Sequence, residues 1–166
     1  MALFPGLTAG NYTPTSAATD SYSCLSWALH VDDRVIWPDE ERVHGWPPDL
    51  PRTEDLPNVM EFLGRAGFEQ CPGEELEAGF EKIAIYVDNA AVRHFARQLA
   101  DGRWASKLGY GIDIEHQNLP CLQGGGHSGY GFPVAYMRRR RNGMPPVLPP
   151  LEPPPPPPPL IIMSAC

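Results

Sequence analysis

"VRHFARQLADGRWASKLG" (Val92–Gly109) decides how this chain folds. Apolar and polar residues alternate on both sides of Asp101-Gly102, a dipeptide suited to the positive backbone angles of a tight turn, so the stretch predicts a β-hairpin. Read as a two-residue type I′ turn, it sets Ala100 against Arg103 and Leu99 against Trp104, and so on back to His94 against Gly109. Successive strand side chains point to opposite faces. That register puts Phe95, Leu99, Trp104 and Leu108 on one face, with Arg97 and Ser106 between them. His94, Ala96, Gln98, Ala105 and Lys107 share the other. The first is the expected core face. His94 stands at the open end of the hairpin, near "GIDIEH" (Gly111–His116).

Working outward, "EKIAIYVD" (Glu81–Asp88) and "GFPVAYM" (Gly131–Met137) predict two further strands of a small antiparallel sheet. "GGGHSGYG" (Gly124–Gly131) reads as flexible and lacks the strand-to-helix setting of a phosphate loop. Upstream, "SYSCLSWALH" (Ser21–His30) predicts a short helix capped by Ser21 or Ser23, with Leu25, Ala28 and Leu29 on one face. A second helix is expected over Asp55–Ala66, capped by Thr53 or Asp55, with Gly67 as its left-handed stop. Between them "IWPDEERVHGWPPDLP" (Ile36–Pro51) predicts an ordered loop. Its Trp-Pro pairs force extended backbone and offer large rings as a lid or wall.

Charge and composition narrow the function. Residues 1–137 carry 19 Asp and Glu against 9 Lys and Arg. So acidic a body lacks the positive surface that phosphate contacts need, which argues against nucleic acid as the main partner. Arg138 to Arg141 read as a solvated exit from the last strand. No stretch reaches the length of apolar residues that spans a bilayer, and the first sixteen residues do not form a secretion signal. Cys24, Cys71, Cys121 and Cys166 show no zinc spacing, and His30, His44, His116 and His127 show no paired ligand spacing. Neither metal nor cofactor is implied. Free thiols in a reducing cytoplasm are the simplest expectation. Eleven of the 21 prolines follow Met144, so the folded body is expected to end at Arg141, with residues 142–166 a disordered tail. Its "PPPPPPP" (Pro153–Pro159) suits polyproline II, a spacer or a ligand for a protein partner.

One arrangement carries chemistry. A cysteine at a helix start gains thiolate character from free amides and the helix dipole. It needs an imidazole in reach and a third polar group to orient that ring. Cys24, His94 and Asp113 follow that order, with Glu115 or His116 as alternatives for the third member. The Cys24 amide, with Gln98 or Lys107, is a candidate oxyanion donor, and Trp37 and Trp46 are candidate binding residues. A buried structural cysteine and a solvated strand-edge histidine are the plainer readings of the same residues.

"YSCLSWALH", the Trp-Pro elements, "GFEKIAIY" and "RHFARQLADGRWASKLGYGIDIEH" together resemble an uncharacterised family of bacterial domain proteins. Its members carry Tyr-Asn-Cys-[Leu/Ile]-Ala-Trp-Ala, a Glu-Lys-Ile-Ala-[Leu/Ile]-Tyr strand, His-x-Ala-Arg-Gln-Leu…Gly-x-Trp-x-Ser-Lys-Leu-Gly and Asp-Ile-x-His. The resemblance covers about Tyr12 to Met137. Ser23 stands where the family often has Asn, and Phe95 where a small Ala is usual. In outline the arrangement is similar to the papain-like fold of NlpC-type and CHAP-type amidases.

The expectation is therefore an α+β, papain-like domain with N-terminal helices packed on a short antiparallel sheet. It would act on an amide or thioester of a peptide, peptidoglycan fragment or protein, with Cys24 attacking, His94 shuttling the proton and Asp113 orienting the ring. A non-catalytic binding or accessory module on the same scaffold is the alternative.

Overall fold

The computed structural model of the 166-residue chain describes residues 4–152 and Pro159. Seven strands form one antiparallel sheet in the order β1-β6-β5-β4-β3-β7-β2. They are β1 (Tyr12–Pro14), β2 (Glu69–Cys71), β3 (Phe80–Asp88), β4 (Ala91–Gln98), β5 (Trp104–Lys107), β6 (Asp113–His116) and β7 (Phe132–Arg140). Helices α1 (Cys24–Ala28) and α2 (Leu56–Arg65) complete a mixed α+β fold. N-terminal helices are expected from the sequence, but the helices do not lead the chain. β1 precedes them, held at the sheet edge against β6.

Local chemistry explains both helix starts. Ser23 caps α1, its Oγ accepting from the Ser26 amide at 3.1 Å, and Asp55 caps α2 through the Asn58 amide at 3.0 Å. α1 stops two residues short of the expected end because His30 turns into left-handed backbone (φ 61°). Gly67 closes α2 at φ 95°. The apolar side of α2, with Val59, Phe62 and Leu63, joins Leu25, Leu29, Ile83, Ile85 and Phe95 in a core on one face of the sheet. A second core lies on the other face, where Phe4, Leu119 and Leu122 cover Ala84, Tyr86, Ala96, Trp104 and Ile114.

The hairpin forms, but one residue out of the expected register. Gln98 faces Trp104 and Arg97 faces Ala105. The loop has three residues rather than two. The Leu99 amide donates to the Arg103 carbonyl at 2.7 Å, Asp101 accepts from the Arg103 amide, and Gly102 takes φ 91°. This is the three-residue hairpin in which glycine takes the left-handed place. A slip of one residue reverses every face relation across the hairpin. His94, Ala96 and Gln98 now share a face with Trp104 and Ser106, whereas Phe95 and Arg97 share the other with Ala105 and Lys107. Phe95 and Trp104, expected side by side, belong to different cores.

The arginine run is a paired strand end rather than a solvated exit. β7 continues as far as Arg140, opposing Arg138 to Lys82 and Arg140 to Phe80. Arg138 meets Glu69 and Glu77, and Glu81 lies within 4 Å of Arg139 and Arg141. The chain then packs back on the body. Leu148 and Leu151 lie against the first core, the Glu152 amide donates to the Trp46 carbonyl, and Arg52 grips the Glu152 carboxylate at 2.8 Å. The packed body therefore reaches Glu152, not Arg141, because apolar residues among these prolines still have core to cover. Pro153–Pro158 lie outside the described residues. No described helix is long and apolar enough to cross a membrane.

Candidate functional site

α1 packs against β4 and β5, which pair over two residues and then part. Cys24 opens the helix at this parting and is 8% exposed. Its entry is tied down by hydroxyls. Ser23 Oγ donates to the Ile36 carbonyl at 2.8 Å, and Ser26 Oγ accepts from the Ile36 amide at 2.8 Å. The thiol lies beside the backbone amides of Phe95, Leu25 and Cys24 itself. Burial outweighs their pull and the charge of Lys107, pushing the thiol up to about 11. At neutral pH Cys24 is a thiol.

Lys107 and Asp113 form the polar wall of this side. Lys107 Nζ donates to the carbonyls of Thr19 and Gly111 and lies 5.2 Å from the centre of the Tyr22 ring. Burial lowers its affinity for protons against the attraction of Asp113 and Cys24. Asp113, expected to orient His94, instead accepts from the Tyr22 hydroxyl at 2.5 Å, and its Oδ1 has no partner. The register slip is the reason, since it puts Asp113 on the Lys107 face and His94 on the other.

His94 is fully buried among Tyr86, Tyr130 and Ser106. Its ring stacks on Tyr130 at 4.2 Å with planes 5° apart. A chain of hydrogen bonds sets its tautomer. His116 Nδ1 lies 2.9 Å from the Asn118 carbonyl, which can only accept, so Nδ1 carries the proton and Nε2 is an acceptor. Ser106 Oγ, 2.8 Å away, must donate to that Nε2. Ser106 then accepts from His94 Nε2 at 2.9 Å. His94 is left with a bare lone pair on Nδ1, which has no hydrogen-bond partner, the Cys24 thiol included. Burial, with a smaller contribution from His116, holds His94 well below the usual histidine range, and burial holds His116 near 4. Both rings are neutral at pH 7.

The remaining expected residues have other work. Gln98 gives its amide to the Glu74 carbonyl at 2.8 Å, and Trp46 is fully buried, stacked 4.6 Å from Phe62. Neither is an accessible oxyanion donor or binding residue. Half-buried Trp37 donates to Glu54 and sets its ring edge-on to Phe95 at 5.9 Å, so the Trp-Pro loop is a wall. Ser106 was missed because the expected register turned it away from His94. Its signal lay in the i, i+2 spacing from Trp104. The structure thus joins His94 to His116 through Ser106. It leaves Cys24 across the His94–Phe95 peptide, in the core that holds Phe95.

Residues 13–138 match the sequence model of a family described as Domain of unknown function (DUF7689), and the chain belongs to that family. No curated protein and no solved structure matches the chain.

Proposed function

We propose that this DUF7689 protein is a cysteine-dependent hydrolase or acyltransferase of amide or thioester bonds, on a compact papain-like scaffold. The observation that carries the reading is the Asn118–His116–Ser106–His94 chain. It fixes a buried imidazole in the one tautomer that leaves the Nδ1 lone pair free to accept a proton. In the reaction His94 Nδ1 takes the Cys24 proton and the sulfur attacks the substrate carbonyl carbon. The amides of Cys24 and Phe95 donate to the resulting oxyanion. The imidazolium returns its proton to the departing amine or thiol, and water or an acceptor nucleophile then releases the acyl group. The step requires the α1 start to move into the gap where β4 and β5 part, because Cys24 rests across the His94–Phe95 peptide from Nδ1. A peptide, a peptidoglycan fragment or a protein amide suits this chemistry. A reducing cytoplasm suits the free thiols at Cys24, Cys71 and Cys121.

The burial of Cys24, His94 and Phe95 favours a second reading, a binding module that keeps the scaffold without turnover. Iodoacetamide labelling at neutral pH separates the two. The enzyme reading expects Cys24 to label ahead of Cys71 and Cys121, with that preference abolished in His94→Ala. Equal labelling of Cys24, Cys71 and Cys121, or none, leaves the binding module.

A further inference from the structure

Just beyond α1, away from the thiol, a second polar cluster is built around Glu81. His30 Nδ1 lies 2.9 Å from Arg97 Nη1, and a guanidinium can only donate, so Nδ1 is an acceptor. The ring proton is on Nε2, which donates to Glu81 Oε1 at 2.8 Å. Both ring nitrogens of His30 are thus committed to partners. Arg97 also donates to the Trp27 carbonyl at 3.0 Å, closing the helix end. The other Glu81 oxygen lies 3.7 Å from Arg139 Nη2 and 3.8 Å from Arg141 Nη1, distances of charge attraction rather than hydrogen bonding.

The charges around this carboxylate do not balance. Three guanidinium groups, those of Arg97, Arg139 and Arg141, surround Glu81, whose side chain is only 3% exposed. Arg139 Nε is buried and has no partner. Unmatched positive charge in a partly buried place is costly, and an orphaned buried donor marks a group still to be satisfied. A cavity of about 390 Å³ opens here, with His30, Glu81, Arg139 and Arg141 on one side and the segment 142–145 on the other. Other cations of this strand end differ. Arg138 is matched by Glu69 and Glu77, whereas exposed Arg140 lies over the Phe80 ring at 4.8 Å and does not line this cavity.

We propose that this cavity binds a small oxyanion, a phosphate or carboxylate group, between Arg139 and Arg141. The Glu81–His30–Arg97 chain forms its rigid floor. The site is independent of the thiol chemistry and can hold a free anion or the anionic end of a larger ligand.

The test is titration of the full chain with sodium phosphate and, separately, sodium acetate at constant ionic strength, followed calorimetrically and by the His30 ring resonances. Saturable one-to-one binding of either anion, with His30 shifted, is the expected result, and the tighter anion names the group. Arg141→Gln should weaken binding by about tenfold or more, the scale of a charge-assisted contact. Arg140→Gln removes the same charge from the same strand end and should leave binding unchanged. Should Arg141→Gln not fold, the wild-type His30 shift decides alone. Absence of saturation by both anions overturns the site, and so does equal weakening in the two variants, which would mean diffuse attraction.

Discussion

Replacing Ser106 by alanine removes one oxygen and breaks two hydrogen bonds at once. The hydroxyl is fully buried, accepting from His94 at 2.9 Å and donating to His116 at 2.8 Å, and both rings are at most 1% exposed. Losing each bond costs about 0.5–1.5 kcal/mol when water replaces the hydroxyl, and about 1–3 kcal/mol when the buried nitrogen is left unpaired instead. Ser106→Ala should therefore destabilise the fold by roughly 2–4 kcal/mol. Guanidinium unfolding followed by tryptophan fluorescence would show this as a lower midpoint at unchanged slope. Exposed Ser128→Ala is the control and should stay within about 0.5 kcal/mol of wild type. Nitrogen NMR should find His94 protonated on Nε2 in the wild type and a mixture of tautomers in the variant. A loss below about 1 kcal/mol with the His94 tautomer unchanged would refute the idea that this relay sets the ring.

The same histidines predict an acid weakness. Burial holds His116 near 4 in the folded chain against an ordinary 6.5, and His94 also titrates well below that value. The unfolded chain therefore binds more protons as pH falls below 6.5. Stability should be complete above 6.5 and erode towards 4, with His116 alone contributing on the order of 3 kcal/mol. Midpoints measured against pH check the direction, and a flat profile over that range counts against it. Phe95→Ala should cost about 3–5 kcal/mol, since the ring is fully buried against Trp37, while the opened space speeds alkylation of Cys24. An unchanged alkylation rate would show that Phe95 does not cover the thiol. A chain ending at Arg141 should unfold at lower denaturant than one ending at Glu152, by about 2 kcal/mol or more. It loses the packing of Leu148 and Leu151 and the Arg52–Glu152 pair. Equal midpoints would mean that residues 142–152 only lie on the surface.

Much of this architecture is written in local chemistry. Asp55 before the apolar face of α2, Gly67 after it, and the apolar run of β3 each act on their near neighbours, so each is readable from a few residues. The serine before Cys24 is of the same kind. Arg138, Arg139 and Arg141 are not, because their acidic partners at 69, 77 and 81 lie far back in the chain and meet them only across the sheet. Nor is the 142–152 segment, whose prolines hide two leucines with a core to reach.

The candidate site divides along the same line. Cys24 at a helix start and His94 on a strand are visible as residue types in a spacing, and His116 stands among the alternatives. Whether His94 meets Asp113 or Ser106 depends on one residue of register. Asp101-Gly102 suits a loop of two residues or three, since both need glycine at positive φ. That ambiguity is resolved by burial on both sheet faces, where Phe95 fills the core under α1 and Trp104 fills the opposite one. Short-range signals thus specify which elements form. Long-range packing, by choosing the register, specifies which side chains become partners.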